Sequence, residues 1–298
     1  MGIAVGFIGL GEAGYHVAKG LREAGVSPIF AYDIALGSLE RRATIETRAG
    51  DADVILCNSL EDLARCSEVI FSTVVSSVAV EVARQAAPYL NAQHFYVDLN
   101  STSPAVKQEI ALAIAPSDAR FVEAAVMAGV PPLGHKVPML LCGAAAPELI
   151  TRLSPYGMNL EDFGSEIGRA TATKMFRSIV VKGLEALFLE CVMAASHYGV
   201  SQRVLESVGV GYPGLDWNEL ANYLIGRTAI HGERRAHEME EVAKTLSAMG
   251  IEPIMAQAAA RRISSVASQR LKSRFGDQAP ESYHEVMRAI EDAEQRAG

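Results

Sequence analysis

The sequence predicts an α/β fold: an N-terminal Rossmann-type parallel-sheet domain over residues 1–166, then an all-α domain over 167–298. Three observations predict it. The apolar run Val5-Gly6-Phe7-Ile8 opens straight into the glycine-rich turn Gly9-Leu10-Gly11-Glu12-Ala13-Gly14. Apolar runs then alternate with helical patterns as far as Phe163, as in a sheet with crossover helices. From Gly168 the pattern is helical almost to the end, and no convincing strand returns.

The first strand and its turn carry the most chemistry. Gly9, Gly11 and Gly14 fall at the G-x-G-x-x-G spacing of a dinucleotide fingerprint. Gly9 permits the tight turn, Gly11 lets the backbone approach a pyrophosphate, and Gly14 lets the helix pack on the strand. The helix start offers unpaired N–H groups and the positive end of its dipole. The next strand, Pro28 to Tyr32, ends in Asp33, at the distance the fingerprint demands for a ribose ligand. A carboxylate there accepts from the 2′-hydroxyl of NAD and repels the 2′-phosphate of NADP, so NAD is favoured. Arg41 and Arg42 lie downstream and keep NADP open.

The remaining elements follow in order. Val54 to Leu56 is a short strand. Ser59 caps a helix, with Asp62 reaching back. Glu68 to Val74 is a strand rich in β-branched and aromatic residues, followed by a helix from Ser77 to about Leu90. His94 to Leu99 is the next strand. Ligands in such sheets sit beyond the carboxyl ends of the strands. That rule singles out Val74-Val75-Ser76-Ser77 and Asn100-Ser101-Thr102-Ser103-Pro104, the latter either a binding loop or a plain N-cap cluster. Arg120 to Val126 is a strand, Met127 to Gly134 a loop, Pro138 to Gly143 a strand, and Ala146 to Leu153 a helix. The last strand lies near Phe163.

One long helix is predicted over Ala170 to Tyr198, then a Gly/Pro-rich break at Gly209 to Gly214. Further helices are predicted over Glu233 to Met249, Ala256 to Phe275 and Ser282 to Arg296. Apolar residues on more than one side of the long helix call for a covering surface, and a homodimer supplies one.

Composition excludes several classes. A formal net charge of −8 and the lack of a Lys/Arg block argue against nucleic acid. No run of eighteen apolar residues appears, so no membrane span is expected. The N-terminus has no basic region ahead of its first strand, unlike a signal peptide. Cys57, Cys66, Cys142 and Cys191 show neither C-x-x-C spacing nor clustering with histidines. No metal site is expected, and reduced thiols in a cytoplasmic protein fit.

Taken together, Gly9 to Gly14, Asp98-Leu99-Asn100-Ser101-Thr102-Ser103-Pro104, the Phe121 to Gly134 segment, and Gly168 followed by Lys174 resemble the β-hydroxyacid dehydrogenase family, which includes the 6-phosphogluconate dehydrogenases. The resemblance spans nearly the whole chain. The stretch Lys174 to Ser178 with Lys182 to Leu187 is similar to a less-characterised branch with its own C-terminal domain type. It implies a substrate cleft between the domains, a catalytic lysine at Lys174, a substrate-contacting serine at Ser101 beside Thr102, and a loop over the nicotinamide at Val74 to Ser76. Asn100 falls at the cofactor in this scheme. Departures from the family are specific. Met127-Ala128-Gly129 stands where relatives carry Ser-Gly-Gly and hold a substrate carboxylate. Ser178 replaces an asparagine one turn after the lysine. A late lysine–aspartate pair corresponds, counting back from Gly250, to His237 and Glu238, which places His237 at the cofactor. A bulkier or less polar substrate is expected.

The expected reaction is NAD(P)-dependent hydride transfer with a β-hydroxy acid or related secondary alcohol, a small-molecule substrate. Lys174 is the general acid/base, which requires burial and nearby positive charge, such as Arg177, to favour its neutral form. Two rivals are an imine reductase on the same scaffold, against which Lys174 argues, and an NAD(P)-binding sensor without turnover.

Overall fold

The apolar runs become strands because β-branched and aromatic side chains pack well on a pleated surface covered on both faces. In the computed structural model, which describes residues 2–276 and 278–297, the chain opens with β1 (Val5–Ile8), α1 (Glu12–Glu23), β2 (Ile29–Tyr32), α2 (Arg42–Asp51) and β3 (Ile55–Leu56). It continues with α3 (Leu60–Cys66), β4 (Val69–Ser72), α4 (Ala79–Ala86), β5 (Phe95–Asp98), α5 (Pro104–Ile114) and β6 (Arg120–Val126). Then come β7 (Met139–Cys142), α6 (Ala146–Leu153), β8 (Leu160–Asp162), α7 (Arg169–His197), α8 (Ser201–Gly211) and α9 (Trp217–Ala248). The last helices are α10 (Ile254–Ala267), α11 (Lys272–Phe275) and α12 (Tyr283–Ala297). The chain divides into two compact units between Lys174 and Met175, inside α7.

In the N-terminal unit the sheet order is β3-β2-β1-β4-β5-β6-β7-β8. The order turns back on itself between β1 and β4, which makes their carboxyl ends a topological switch point. Strand alternation sends neighbours to opposite faces. Phe7, Phe71 and Phe95 pack on one side, and Ile8, Ile70 and Tyr96 on the other. Phe7 and Phe71 stack with ring centroids 5.3 Å apart. Each such burial contributes about 1.5–3 kcal/mol.

The sheet is not wholly parallel, which corrects the sequence expectation. β7 runs antiparallel to β6, and β8 runs parallel to β7. The connection from Val126 to Met139 holds only a 3-10 turn at Gly134–Lys136 and no crossover helix, so the chain doubles back instead of crossing over. At α3, Ser59 Oγ accepts from the Asp62 amide at 3.0 Å, which is the first half of the expected capping box.

In the C-terminal unit, Leu189, Val192, Leu205, Ile225, Met239, Val242, Ile263 and Val286 share one core. α8 runs through Gly209 and ends at Gly211, inside the expected break. The helix expected from Glu233 begins at Trp217, capped by Asp216 Oδ1 accepting from Asn218 and Glu219. Its backbone leaves helical values at His231 (φ −120°, ψ 15°). Glu185 on α7 ties the two segments together across that kink, accepting from Thr228 before it and Arg235 after it. The helix expected over Ala256 to Phe275 is two, parted by Arg270 at φ 54°. Among the described residues no helix is long and apolar enough to cross a membrane.

Candidate active site

The turn after β1 shows the tight turn and the close helix packing that Gly9 and Gly14 predict. Gly9 sits at φ 92°, and a Cβ there would lie 2.8 Å from Thr73 O. A Cβ on Gly14 would lie 2.5 Å from both Gly9 O and Thr73 Oγ1, so α1 packs on the strand only with glycine there. Gly11 differs, because a Cβ there would meet no protein atom within 4 Å. Gly11 is also the N-cap of α1 and has no side chain to accept from the first turn. An open cradle beside uncapped N–H groups, at the positive end of a helix, fits a pyrophosphate. Glu12 and Ala13 form the start of that helix.

Asp33 closes the other side. Its Oδ2 accepts from Leu10 N and its Oδ1 from Ala35 N, both at 2.8 Å. The carboxylate is fixed in place, and each oxygen retains lone pairs for a ribose hydroxyl. Arg42 is engaged with Glu46 at 2.8 Å and Arg41 lies exposed. The arginine that reaches the turn is Arg48, which donates to Leu10 O at 3.1 Å. Sequence reasoning missed it, although Arg48 shares a helix face with the buried Ile45 and Ala49.

At the end of β4, Thr73 Oγ1 donates to Gly9 O at 2.6 Å and fixes the following loop to the glycine turn. Val74 is half-buried there, while Val75 and Ser76 are exposed.

The run after β5 divides its labour. Asp98 and Lys107 are both buried, with Lys107 Nζ 2.6 Å from Asp98 Oδ2. Asn100 Nδ2 donates to Asp98 Oδ1 and, at 2.9 Å, to Ser72 Oγ. Asn100 Oδ1 and Thr102 Oγ1 are buried without a protein partner. Ser103 caps α5 by accepting from Val106 N at 3.3 Å. Ser101 alone turns outward, 3.5 Å from Lys174 Nζ on the first turns of α7.

The Met127-Ala128-Gly129 stretch after β6 carries no side-chain hydrogen-bond donor. Met127 packs with Leu140, Phe163 and Ile167 around Ala125, Cys142 and Ala170, and its amide donates to Pro138 O at 2.9 Å. Ala128 and Gly129 are exposed.

Ser178 and His237 belong to the C-terminal unit. Ser178 Oγ accepts from Lys182 Nζ at 3.1 Å, and the same Nζ lies 2.8 Å from Glu238. Burial pushes the Lys182 ammonium below its ordinary pKa, and Glu238 opposes that. His237 has a side chain 65% exposed and faces Glu240 at 3.5 Å. Trp217, half-buried at the edge of the unit's core, packs on Phe188 and the exposed Tyr212, and its Nε1 donates to Tyr212 O.

Residues 4–158 match the model of the NAD binding domain of 6-phosphogluconate dehydrogenase, and residues 195–266 match a domain of unknown function, DUF1932. A conserved hypothetical protein from Sinorhizobium meliloti 1021 is 37% identical, with 98% of this chain and 97% of that one covered and a TM-score of 0.82. A conserved protein of unknown function, described as structurally similar to 3-hydroxyacid dehydrogenases, is 34% identical over 91% of this chain and 97% of its own, with a TM-score of 0.76. The 3-hydroxyisobutyrate dehydrogenase of Mycobacterium tuberculosis shares the fold at 17% identity and a TM-score of 0.72, over 97% of this chain and 99% of that one.

Proposed function

The chain belongs to the 6-phosphogluconate dehydrogenase-like family with its NAD-binding domain, and from that premise we propose an NAD-dependent oxidoreductase acting on a β-hydroxy acid or related secondary alcohol. The observation that carries this reading is the approach of Lys174 Nζ to Ser101 Oγ, 3.5 Å, at the carboxyl end of the sheet that also carries Gly11 and Asp33. Bound nicotinamide supplies the hydride acceptor. In oxidation the neutral Lys174 amine takes the proton of the substrate hydroxyl, and in reduction the ammonium returns it. Ser101 orients the same oxygen by hydrogen bonding. Ser178 follows Lys174 by one helical turn and is a second candidate contact. Asp33 favours NAD, since its fixed negative charge repels a 2′-phosphate.

The substrate end near Met127 is less polar than in relatives. Neither the Met127 side chain nor its amide is available to a carboxylate, because one is in an apolar cluster and the other bonds to Pro138 O. On α7, Val180 and Leu187 are exposed at 63% and 58%, and Tyr198, just past its end, at 80%. They support a homodimer, which light scattering at working concentration tests; a monomeric mass removes it.

The functional test is absorbance-monitored turnover of 3-hydroxy acids, from short aliphatic to aryl-substituted, with NAD and NADP in parallel. Lys174→Ala should lower turnover by about 10²-fold or more with NAD affinity nearly unchanged. Near-wild-type turnover would remove Lys174 from the mechanism. Silence across the panel, with NAD binding intact, favours the imine reductase and sensor readings.

A further inference from the structure

Lys174 and Ser101 reach each other from two separately anchored pieces of chain. The anchors are two buried carboxylates side by side in the sheet, because Asp98 of β5 and Glu123 of β6 are partners in register. Asp98 organises the loop that carries Ser101. Glu123 has no part in the mechanism above, yet it is 0% exposed and both of its oxygens are engaged. Its Oε2 accepts from Gly168 N at 2.5 Å and its Oε1 from Thr171 N at 2.7 Å.

These two amides belong to the entry of α7. Gly168 sits at φ 105°, a left-handed conformation that favours glycine. A helix that starts on glycine has no side chain with which to cap itself. Glu123 provides that cap from 45 residues away in sequence. Its charge also lies at the positive end of a 29-residue helix. Thr171 precedes Lys174 by three residues, one turn, so a carboxylate holding the Thr171 amide fixes the turn that projects Lys174.

We propose that Glu123 is a positioning residue: its carboxylate clamps the first turn of α7 and thereby holds Lys174 against Ser101. The proposal rests on the reading of Lys174 as the proton-transfer group. A merely stabilising cap would affect the unfolding of the unit. A positioning cap also sets the surroundings of one amine.

The test uses the full chain without added cofactor and needs no substrate. Lysines are labelled with trinitrobenzenesulfonate across a pH series and read by peptide mass mapping, in the wild type and in Glu123→Gln, which keeps the volume but loses one acceptor. The expected result is a change of about threefold or more in the labelling rate of Lys174, with a shifted pH midpoint, as a small loss of placement gives. Lys136 and Lys244, both exposed, serve as references and should not change. Hydrogen exchange over residues 166–174 should quicken in the same variant. Quickened exchange with an unaltered Lys174 profile overturns the proposal, leaving Glu123 a structural cap. If Glu123→Gln labels at every lysine, it has unfolded, and Glu123→Asp, which keeps the charge but shortens the reach, decides by the same criterion. An altered Lys174 profile in a protein that turns over none of the hydroxy acids would leave the clamp standing and remove the reaction.

Discussion

Lys107 Nζ stands 2.6 Å from Asp98 Oδ2 where neither side chain meets solvent, at 1% and 0% exposure. The pair has additional support, since Lys107 also donates to Asp98 O at 2.9 Å and Asn100 donates to Asp98 Oδ1. Removing one partner strands a buried charge, which costs about 3–5 kcal/mol. Lys107→Met should therefore lower stability in denaturant unfolding by that order. The double variant Asp98→Asn, Lys107→Met should recover a good part of it. Equal losses in single and double variants would show that the penalty comes from packing, not from the stranded carboxylate.

Gly11 and Gly14 should respond to alanine in opposite ways. At Gly11 the added methyl meets no protein atom within 4 Å. Folding should hold within about 0.5 kcal/mol, while NAD affinity falls about tenfold or more because the pyrophosphate loses its approach. At Gly14 the methyl would lie 2.5 Å from Gly9 O and Thr73 Oγ1, and overpacking of that kind costs about 1–3 kcal/mol. Calorimetric NAD titration and thermal unfolding of both variants separate the two effects. Unchanged NAD affinity in Gly11→Ala would mean that the cradle is not where the phosphates lie.

Asp33 should set the preference between the two dinucleotides. Asp33→Asn keeps the shape and an acceptor for one of the two amides that it holds. It removes the negative charge, so the ratio of NADP to NAD affinity should rise about tenfold, near 1.4 kcal/mol. Arg48, on Leu10 O, lies close enough to the turn to favour a phosphate once that charge has gone. An unchanged ratio in titrations with both dinucleotides would put the discrimination elsewhere.

What was legible in the sequence is what is local. The G-x-G-x-x-G spacing and the placement of Asp33 are short-range facts, and Gly9 and Gly14 stand where a Cβ would collide, as their spacing predicts. The reversal at β7 has a local signature too: no crossover helix separates Val126 from Met139. Asp98 with Lys107, and Glu123 with Gly168, join residues from different elements, and no periodicity records such pairs. The pattern of α9 is clear only from Glu233, because Gly226 and Gly232 interrupt it. A glycine at 232 is needed there, since a Cβ would lie 2.8 Å from the Ala267 side chain.

His135 should make the fold sensitive to acid. Its side chain is buried, with Nε2 3.1 Å from Tyr156 O, and it packs so close under α1 that a Cβ on Gly20 would lie 2.2 Å from Nδ1. Burial lowers its pKa below 6.5, and the bond to Tyr156 O only partly offsets this. A depressed histidine favours the neutral ring in the folded state. Below pH 6.5 the unfolded chain takes up a proton that the folded chain resists, so the stability is present above that pH and lost as pH falls through the folded value. His135→Phe keeps a ring of similar size and removes the titration. It gives up the bond to Tyr156 O, a loss of about 1 kcal/mol at any pH. Denaturant midpoints at pH 7.5 and pH 5.5 should therefore lie closer together in the variant than in the wild type. If the two proteins lose the same stability over that interval, the acid sensitivity belongs to another group, and His135 matters to the fold only as packing under Gly20.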